Sequence, residues 1–393
     1  MKVTLVCIAR YYHFDLAREL HNYQTLGLFF TGYPQFKLKE QKNFPIENTK
    51  SVPLIVTPFM FFDRYKLWPN KLLRSQISFL SHQHLDFVVS KQLKKPTILI
   101  AFCGAGLYSG RVNKKMGGIY ICDKGSTHID YQEDLLKEEF LRYQMKYEGT
   151  YKKRRNKEIL EYEEAEFITV PSNFVLESFV KKGIPREKLV KIPYGAELSR
   201  FKYVPNELKI ETKTKKNIFN ILFVGNFGAR KGAIDILKSF KNFKHPNKCL
   251  TLIGSIAKEG KILLEKYDIS NIRFIGRVRN EELFHYYNEA DVFLMPSIEE
   301  GFAMVILEAL ASGCPVITTP NSGGEEIIKN NFNGFIVPIH SPEKIVNCLE
   351  AISDSEDLKI NLGQNAHKSL KKIGGWAEYG KKWNDFIKFI NIN

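Results

Sequence analysis

Two strand-to-helix loops in the second half of the chain carry residues whose types and spacing suit anion and sugar chemistry. The first reads Phe223-Val224-Gly225-Asn226-Phe227-Gly228-Ala229-Arg230-Lys231-Gly232. Its glycines let the backbone turn sharply. Arg230 and Lys231 stand just before a helix that begins near Ala233, whose unpaired N–H groups favour anions. By itself the loop is either a diphosphate clamp or an ordinary glycine turn with exposed cations. In the second, a strand from Asp291 runs into Pro296, and Glu300 precedes a helix that begins near Ala303. Glu308 lies eight residues on, about 80° around the helix from Glu300 at ~100° per residue. Both carboxylates can flank one ligand across the helix start, where the amides of 302–305 hold phosphate oxygens. Glu308 sits among Ile306, Leu307, Ala309 and Leu310, so it needs a partner, and two sugar hydroxyls would serve. Taken singly, Glu300 is a first-turn acid and Glu308 a helix-surface glutamate. Neither explains the Gly313–Thr319 strand entry and the Gly323-Gly324 loop that follow directly.

The elements that must position these loops alternate along the whole chain. Apolar strand-like runs stand at 3–9, 97–103, 118–122, 167–171, 219–225, 250–254, 272–275, 291–295 and 315–319. Amphipathic helical patterns lie between many of them, among them Asp15–Leu26, Leu135–Tyr147, Ile234–Phe243 and Val305–Ala311. Alternation of this kind predicts βαβ units and parallel sheets. It breaks once, near 196–217, where Pro, Gly and charge replace any apolar period. The expected architecture is α/β, two doubly wound Rossmann-like domains facing a cleft. The boundaries are 1–200 for an acceptor-side domain and 201–375 for a donor domain, with an aromatic-faced helix at 376–393. Ligands of such folds bind where strand ends meet helix starts, in the crevice between sheets.

Composition agrees with a two- or three-domain chain of 393 residues: 44% hydrophobic, 26% charged and 13% aromatic. Disordered, collagen-like and coiled-coil classes are excluded. No stretch approaches the ~18 apolar residues that span a bilayer. The opening Val3–Ala9 lacks a small-residue cleavage site and is expected to be a first strand. Six scattered cysteines without a C-x-x-C pair predict reduced core residues in a cytoplasmic protein, not disulfides or zinc sites. Net charge is +15 and uneven, with 32 Lys/Arg against 21 Asp/Glu in residues 1–200. That half is expected to face something anionic. Within it, Phe59–Trp68 with Lys71 and Arg74 interleaves large apolar residues with cations. It has two readings: a core helix with a solvated basic edge, or a peripheral contact with an anionic membrane at its cytoplasmic face. Lys152–Arg155, followed by Glu158, Glu161, Glu163 and Glu164, predicts an exposed, salt-bridged helix face.

With these residues in place, the second half resembles the retaining glycosyltransferases of family 4, which have the GT-B fold. The resemblance is carried by VGNFGARKG, IGRVRNEEL, ADVFLMPSIEEGFAMVILEALASGCPVITT and SGGEEIIKNNFNGFIVP, and covers roughly residues 160–340. Glu300 to Glu308 is that family's E-x7-E pattern. The resemblance implies that Lys231 binds the donor diphosphate and Glu300 contacts the transferred sugar. It implies that the amides of Gly301, Phe302, Ala303, Met304 and Val305 hold phosphate and sugar oxygens, Glu308 grips the ribose, and Arg277 lines the base pocket. Asn226 stands where the family usually has arginine, so Arg230 is expected to supply that charge.

The first half departs from the family, with Arg10-Tyr11-Tyr12-His13 in place of a glycine-rich loop. His13 is either a cleft residue or a core or capping histidine. His128, at a strand end in Asp123-Lys124-Gly125-Ser126-Thr127-His128, matches the family's cleft histidine. Asp123 and Lys124 are weaker acceptor-side candidates, and Cys103–Gly106 is expected to shape the cleft floor. The reaction implied is transfer of a hexose-type sugar, with retention, from a UDP- or GDP-linked donor to a glycan, lipid-linked or small-molecule acceptor. Glu300 and His128 would act on the sugar. No D-x-D constellation stands at a strand end, so no metal or other cofactor is expected. A sugar-nucleotide epimerase would share fold and donor but need no acceptor. A glycosidase pairing Glu300 with Glu308 would have no use for a phosphate cradle. The charge alone also allows a basic nucleic-acid or anionic-surface binder, but no nucleic-acid motif appears, so no nucleic acid is expected as a partner.

Overall fold

A computed structural model describes residues 1–41, 43–201, 203–204 and 218–392. Two all-parallel sheets account for the strands. The first has order β3-β2-β1-β4-β5-β6-β7, formed by β1 (Val3–Cys7), β2 (Leu26–Thr31), β3 (Thr49–Ser51), β4 (Ile98–Phe102), β5 (Ile119–Asp123), β6 (Phe167–Val170) and β7 (Leu189–Lys191). The second has order β10-β9-β8-β11-β12-β13, from β8 (Phe219–Val224), β9 (Lys248–Ile253), β10 (Ile272–Gly276), β11 (Val292–Met295), β12 (Val316–Thr318) and β13 (Gly334–Ile336). Central strands such as ILIAF and VFLM are buried from both faces by helices, which is why they are continuous apolar runs. Each sheet reverses direction of growth once, between β1 and β4 and between β8 and β11. Loops leaving those strands therefore open onto a crevice.

Most of the 196–217 break and residue 393 lie outside the described residues. The helix Trp376–Ile392 packs on the helix His13–Asn22 of the first sheet's layer. Trp383 is fully buried there, and a Cβ on Gly380 would come within 2.3 Å of the Glu19 Cβ. Where the chain leaves the first sheet, Gly195 touches the returning backbone, since a Cβ there would lie 2.5 Å from the Gly375 carbonyl oxygen.

Four expectations are corrected. The 15–26 helix is His13–Asn22, because Gln24 turns to φ +56° and Leu26 already starts β2. The 135–147 helix is Ile129–Arg142, entered earlier because His128 caps it. The helix Lys152–Glu164 is only in part an exposed face: Lys152, Lys153 and Glu163 are exposed, but Lys157, Glu158 and Glu161 are buried. Glu158 takes Lys124 and Arg154. Glu161 accepts amide hydrogens from Gly104, Gly106 (2.9 Å) and Leu107 (3.1 Å), so the Cys103–Gly106 loop is an internal carboxylate cradle. The helix Val56–Arg64 is no core helix either. Phe61, Phe62, Tyr65 and Leu67 are exposed, and only Val56 of that helix is buried.

Candidate active site at the domain cleft

The loop after β8 and the loop after β11 flank the second sheet's switch point and meet. Gly232, at φ +70°, ends the first turn with its α-carbon against Pro296, where a Cβ would lie 2.2 Å from the Pro296 carbonyl oxygen. This approach places Lys231 and Arg230 beside Glu300. Glu300 Oε2 accepts from Lys231 Nζ and, at 3.1 Å, from Arg230 Nη2. Asn226 is exposed, and its Oδ1 accepts from Ser255 Oγ at 2.8 Å. Arg230, not Asn226, thus stands with Lys231 on Glu300.

Glu299, one residue before Glu300, is fully buried and joins the two domains. Its Oε1 accepts from Thr127 Oγ1 at 2.8 Å and from the Thr127 amide at 3.2 Å. Its Oε2 accepts from Gln132 Nε2 at 2.9 Å and Arg230 Nε at 2.7 Å. Burial opposes its charge, but Arg230, Gln132 and Thr127 outweigh that and hold the carboxyl below its usual range. Neighbouring contacts are as close. Ser172 Oγ donates to the Gly301 carbonyl at 2.7 Å, and a Cβ on Gly301 would lie 1.9 Å from the Gly125 carbonyl oxygen. Only glycine allows the first domain to approach here.

The helix Met304–Ala311 starts behind Glu300. The Ala303 amide, expected to be free for a ligand, donates to the Ser322 carbonyl at 2.9 Å. It is committed to the fold; Gly301, Phe302, Met304 and Val305 remain. Glu308 is buried at 9% exposure, and among the described residues its carboxylate accepts from the Tyr287 hydroxyl alone, at 3.1 Å to Oε2. Burial pushes its carboxyl up to about 7, with Tyr287 opposing.

On the first domain, His128 caps its helix by accepting the Asp130 amide at Nδ1, 3.2 Å away. The ring packs against Tyr162 and Phe179, at 4.9 and 5.2 Å. Burial lowers its pKa to about 4, so it is neutral, and with Nδ1 accepting, the proton sits on Nε2. His13 and Asp123 are buried against each other, Nε2 to Oδ2 2.9 Å, and Asp123 Oδ1 accepts from Thr169 Oγ1 at 2.7 Å. Burial disfavours the imidazolium, but Cys7 and Asp123 outweigh it and raise His13 to about 10. Lys124 is buried on Glu158. His13, Asp123 and Lys124, the acceptor-side candidates, are thus all buried and paired within the first domain. Arg277, given by the resemblance to a base pocket, lies exposed after β10 and lines a cavity on the first-domain side of the cleft. Cys103, Cys122 and Glu161 come together among the described residues as a metal-capable group. Glu161 there already accepts three amides.

Fold and site together define a two-domain GT-B architecture with an anion cradle and two carboxylates on one side of the cleft. Residues 206–369 match the family model of the glycosyl transferases group 1. Over 371 residues the chain is 24% identical to an uncharacterized glycosyltransferase of Methanocaldococcus jannaschii, covering 91% of this chain and 84% of that protein. Sucrose-phosphate synthase from Thermosynechococcus elongatus superposes with a TM-score of 0.73 at 18% identity, covering 100% of this chain and 99% of that one. Anabaena HepE in complex with UDP gives 0.69 at 15%, covering 99% and 100%. The family match thus covers the second half of the chain, and the solved neighbours share its two-domain GT-B fold.

Proposed function

We propose that the protein is a retaining glycosyltransferase. It moves a hexose-type sugar from a UDP- or GDP-linked donor to a glycan, lipid-linked or small-molecule acceptor, without a metal. The observation that carries this reading is Lys231 and Arg230 converging on Glu300 Oε2 at the start of the Met304–Ala311 helix, with Glu308 inside that helix. Two cations and a helix N-terminus are the preorganised charge that a departing nucleoside diphosphate needs. The donor's diphosphate would draw Lys231 and Arg230 off Glu300 and free that carboxylate for the sugar. Glu308 would accept the ribose hydroxyls, and His128 would donate from Nε2 to a sugar oxygen. The UDP complex of HepE supports a uridine donor. Arg230 supplies the charge missing at Asn226, and its loss would abolish donor turnover. No helix among the described residues is long and apolar enough to cross a membrane. The exposed Phe61, Phe62, Tyr65 and Leu67 beside Arg64, Lys66 and Lys71 support peripheral contact with an anionic surface.

The test is thermal stability against UDP, GDP, ADP and their sugar conjugates, with and without EDTA. A ligand at a hundred times its dissociation constant adds about 2.7 kcal/mol. A shift with one nucleotide, kept in EDTA and lost in Glu308→Ala, is expected. No shift with any nucleotide would refute the donor site. Formation of an epimerised nucleotide sugar without acceptor would replace transfer by epimerisation.

A further inference from the structure

A cavity of about 510 Å³ lies on the first-domain side of the cleft, within the size range of small-ligand sites. Ile8 and Ala9 follow β1, and Phe102 ends β4, so the cavity sits at the first sheet's own switch point. It lies outside the Glu300 loops and holds none of the residues assigned to the donor except Arg277.

Its charge is one-sided. Arg64, Lys66, Arg74, Arg154 and Arg277 line it, against a single lining carboxylate, Asp63. Asp63 takes Arg74 Nε at 2.5 Å, and Arg154 is held from behind by Glu158 at 3.0 Å. Arg64 lies over the Tyr65 ring, 5.8 Å from its centroid. Among the described residues Lys66, Arg64 and Arg277 have no acidic partner. Three unneutralised cations, one from the opposite domain, focus positive potential into a walled cleft. A neutral sugar leaves such a cluster unsatisfied, whereas a phosphate matches guanidinium forks directly. The floor of Val56, Phe59, Met60 and Phe102 offers apolar contact beside the cations. His82 adds a hydrogen-bond acceptor. Its Nδ1 is 2.7 Å from the Ser78 carbonyl and must carry the proton, so Nε2 is left as an acceptor suited to a hydroxyl. Burial, with Arg154 beside it, lowers its pKa to about 4 and keeps it neutral.

We propose that this cavity is the acceptor site and that the acceptor carries a phosphate or diphosphate group, held by Arg64, Lys66, Arg74 and Arg154, with Arg277 closing on it from the donor domain. This rests on the transferase reading above and names its second substrate class. The same chemistry is offered by a soluble sugar phosphate and by a lipid-linked diphosphate.

The experiment is calorimetric titration of the full chain, first with UDP or GDP, then, with that nucleotide saturating, with glucose, glucose 1-phosphate and geranyl diphosphate. We expect a phosphorylated probe to bind at least tenfold more tightly than glucose. Tighter binding of glucose 1-phosphate marks a soluble acceptor, and tighter binding of geranyl diphosphate a lipid-linked one. We expect Arg74→Gln and the double variant Arg64→Gln/Lys66→Gln to weaken that probe at least tenfold while nucleotide affinity stays within twofold. Nucleotide binding with equal affinity for glucose and both phosphates, or phosphate binding untouched by either variant, would overturn the proposal alone. Failure of both nucleotides to bind would overturn the transferase reading and this one with it.

Discussion

Arg230 Nε meets Glu299 Oε2 at 2.7 Å while Nη2 of the same guanidinium reaches Glu300 Oε2 at 3.1 Å. One arginine thereby connects the carboxylate that bridges the domains to the carboxylate beside Lys231. Since Glu299 also accepts from Thr127 and Gln132, first-domain position and donor-site charge are mechanically joined. Removing one partner from a buried, hydrogen-bonded charge group costs roughly 3–5 kcal/mol. Arg230 is 44% exposed and keeps Glu300, so Glu299→Ala is expected to lower unfolding free energy by less, about 1–3 kcal/mol, in urea titrations. Glu299→Gln, which keeps an oxygen and loses the charge, is expected to lose less stability and to raise the donor KM. Unchanged stability in the alanine variant would show that the bridge carries no load.

Glu308 predicts a pH dependence. Its folded pKa of about 7 lies above the ordinary 4.5. Its contribution to stability is therefore fully present below about 4.5 and is lost as pH rises through 7. Ribose hydroxyls need the carboxylate, so nucleotide affinity is expected to move oppositely, strengthening between pH 6 and 8. Donor KM measured across that range should fall several-fold in the native protein and stay flat in Glu308→Gln. A flat native profile would separate Glu308 from the ribose.

Gly301→Ala tests the domain approach. Its new methyl would stand 1.9 Å from the Gly125 carbonyl oxygen, a backbone atom that cannot swing away. The second domain should fold normally, with nucleotide affinity within a few-fold of native. Transfer should fall by at least a hundredfold, because closure excludes water and completes the site. Full transfer in this variant would mean that the domains need not meet at Gly125.

Glu300→Gln should separate binding from chemistry. Lys231 and Arg230 lose a competing anion, so nucleotide diphosphate affinity is expected to hold or improve. With the carboxylate gone from the sugar, kcat should fall by about 10²–10³-fold, the scale for removing one preorganised group. Loss of affinity with unchanged kcat would reverse the assignment.

Most of the architecture is legible in the sequence because the central strands are buried on both faces and so appear as unbroken apolar runs. Edge strands such as Thr49–Ser51 and Gly334–Ile336 are three residues long and carry no period. The Lys152–Glu164 helix misleads because Lys157, Glu158 and Glu161 are internal: Glu161 replaces solvent for three amides, a pairing that spacing alone cannot reveal. At the site, the glycine turn, Lys231, Glu300 and Glu308 are visible as local patterns. Glu299 is not, since a Glu-Glu doublet does not say which side chain turns inward, and its first-domain partners Thr127 and Gln132 lie over 160 residues away. The basic cavity is assembled from five separate stretches of chain, so only its Phe59–Arg74 portion stands out in the sequence.

The contact between Gly195 and Gly375 bears on how the molecule can move. Bodies joined by one strand of chain can swivel about any axis. Bodies joined by two adjoining strands lose that freedom and keep one angle of swing. A distance between labels on the far rims of the two sheets would report swing about that paired crossing.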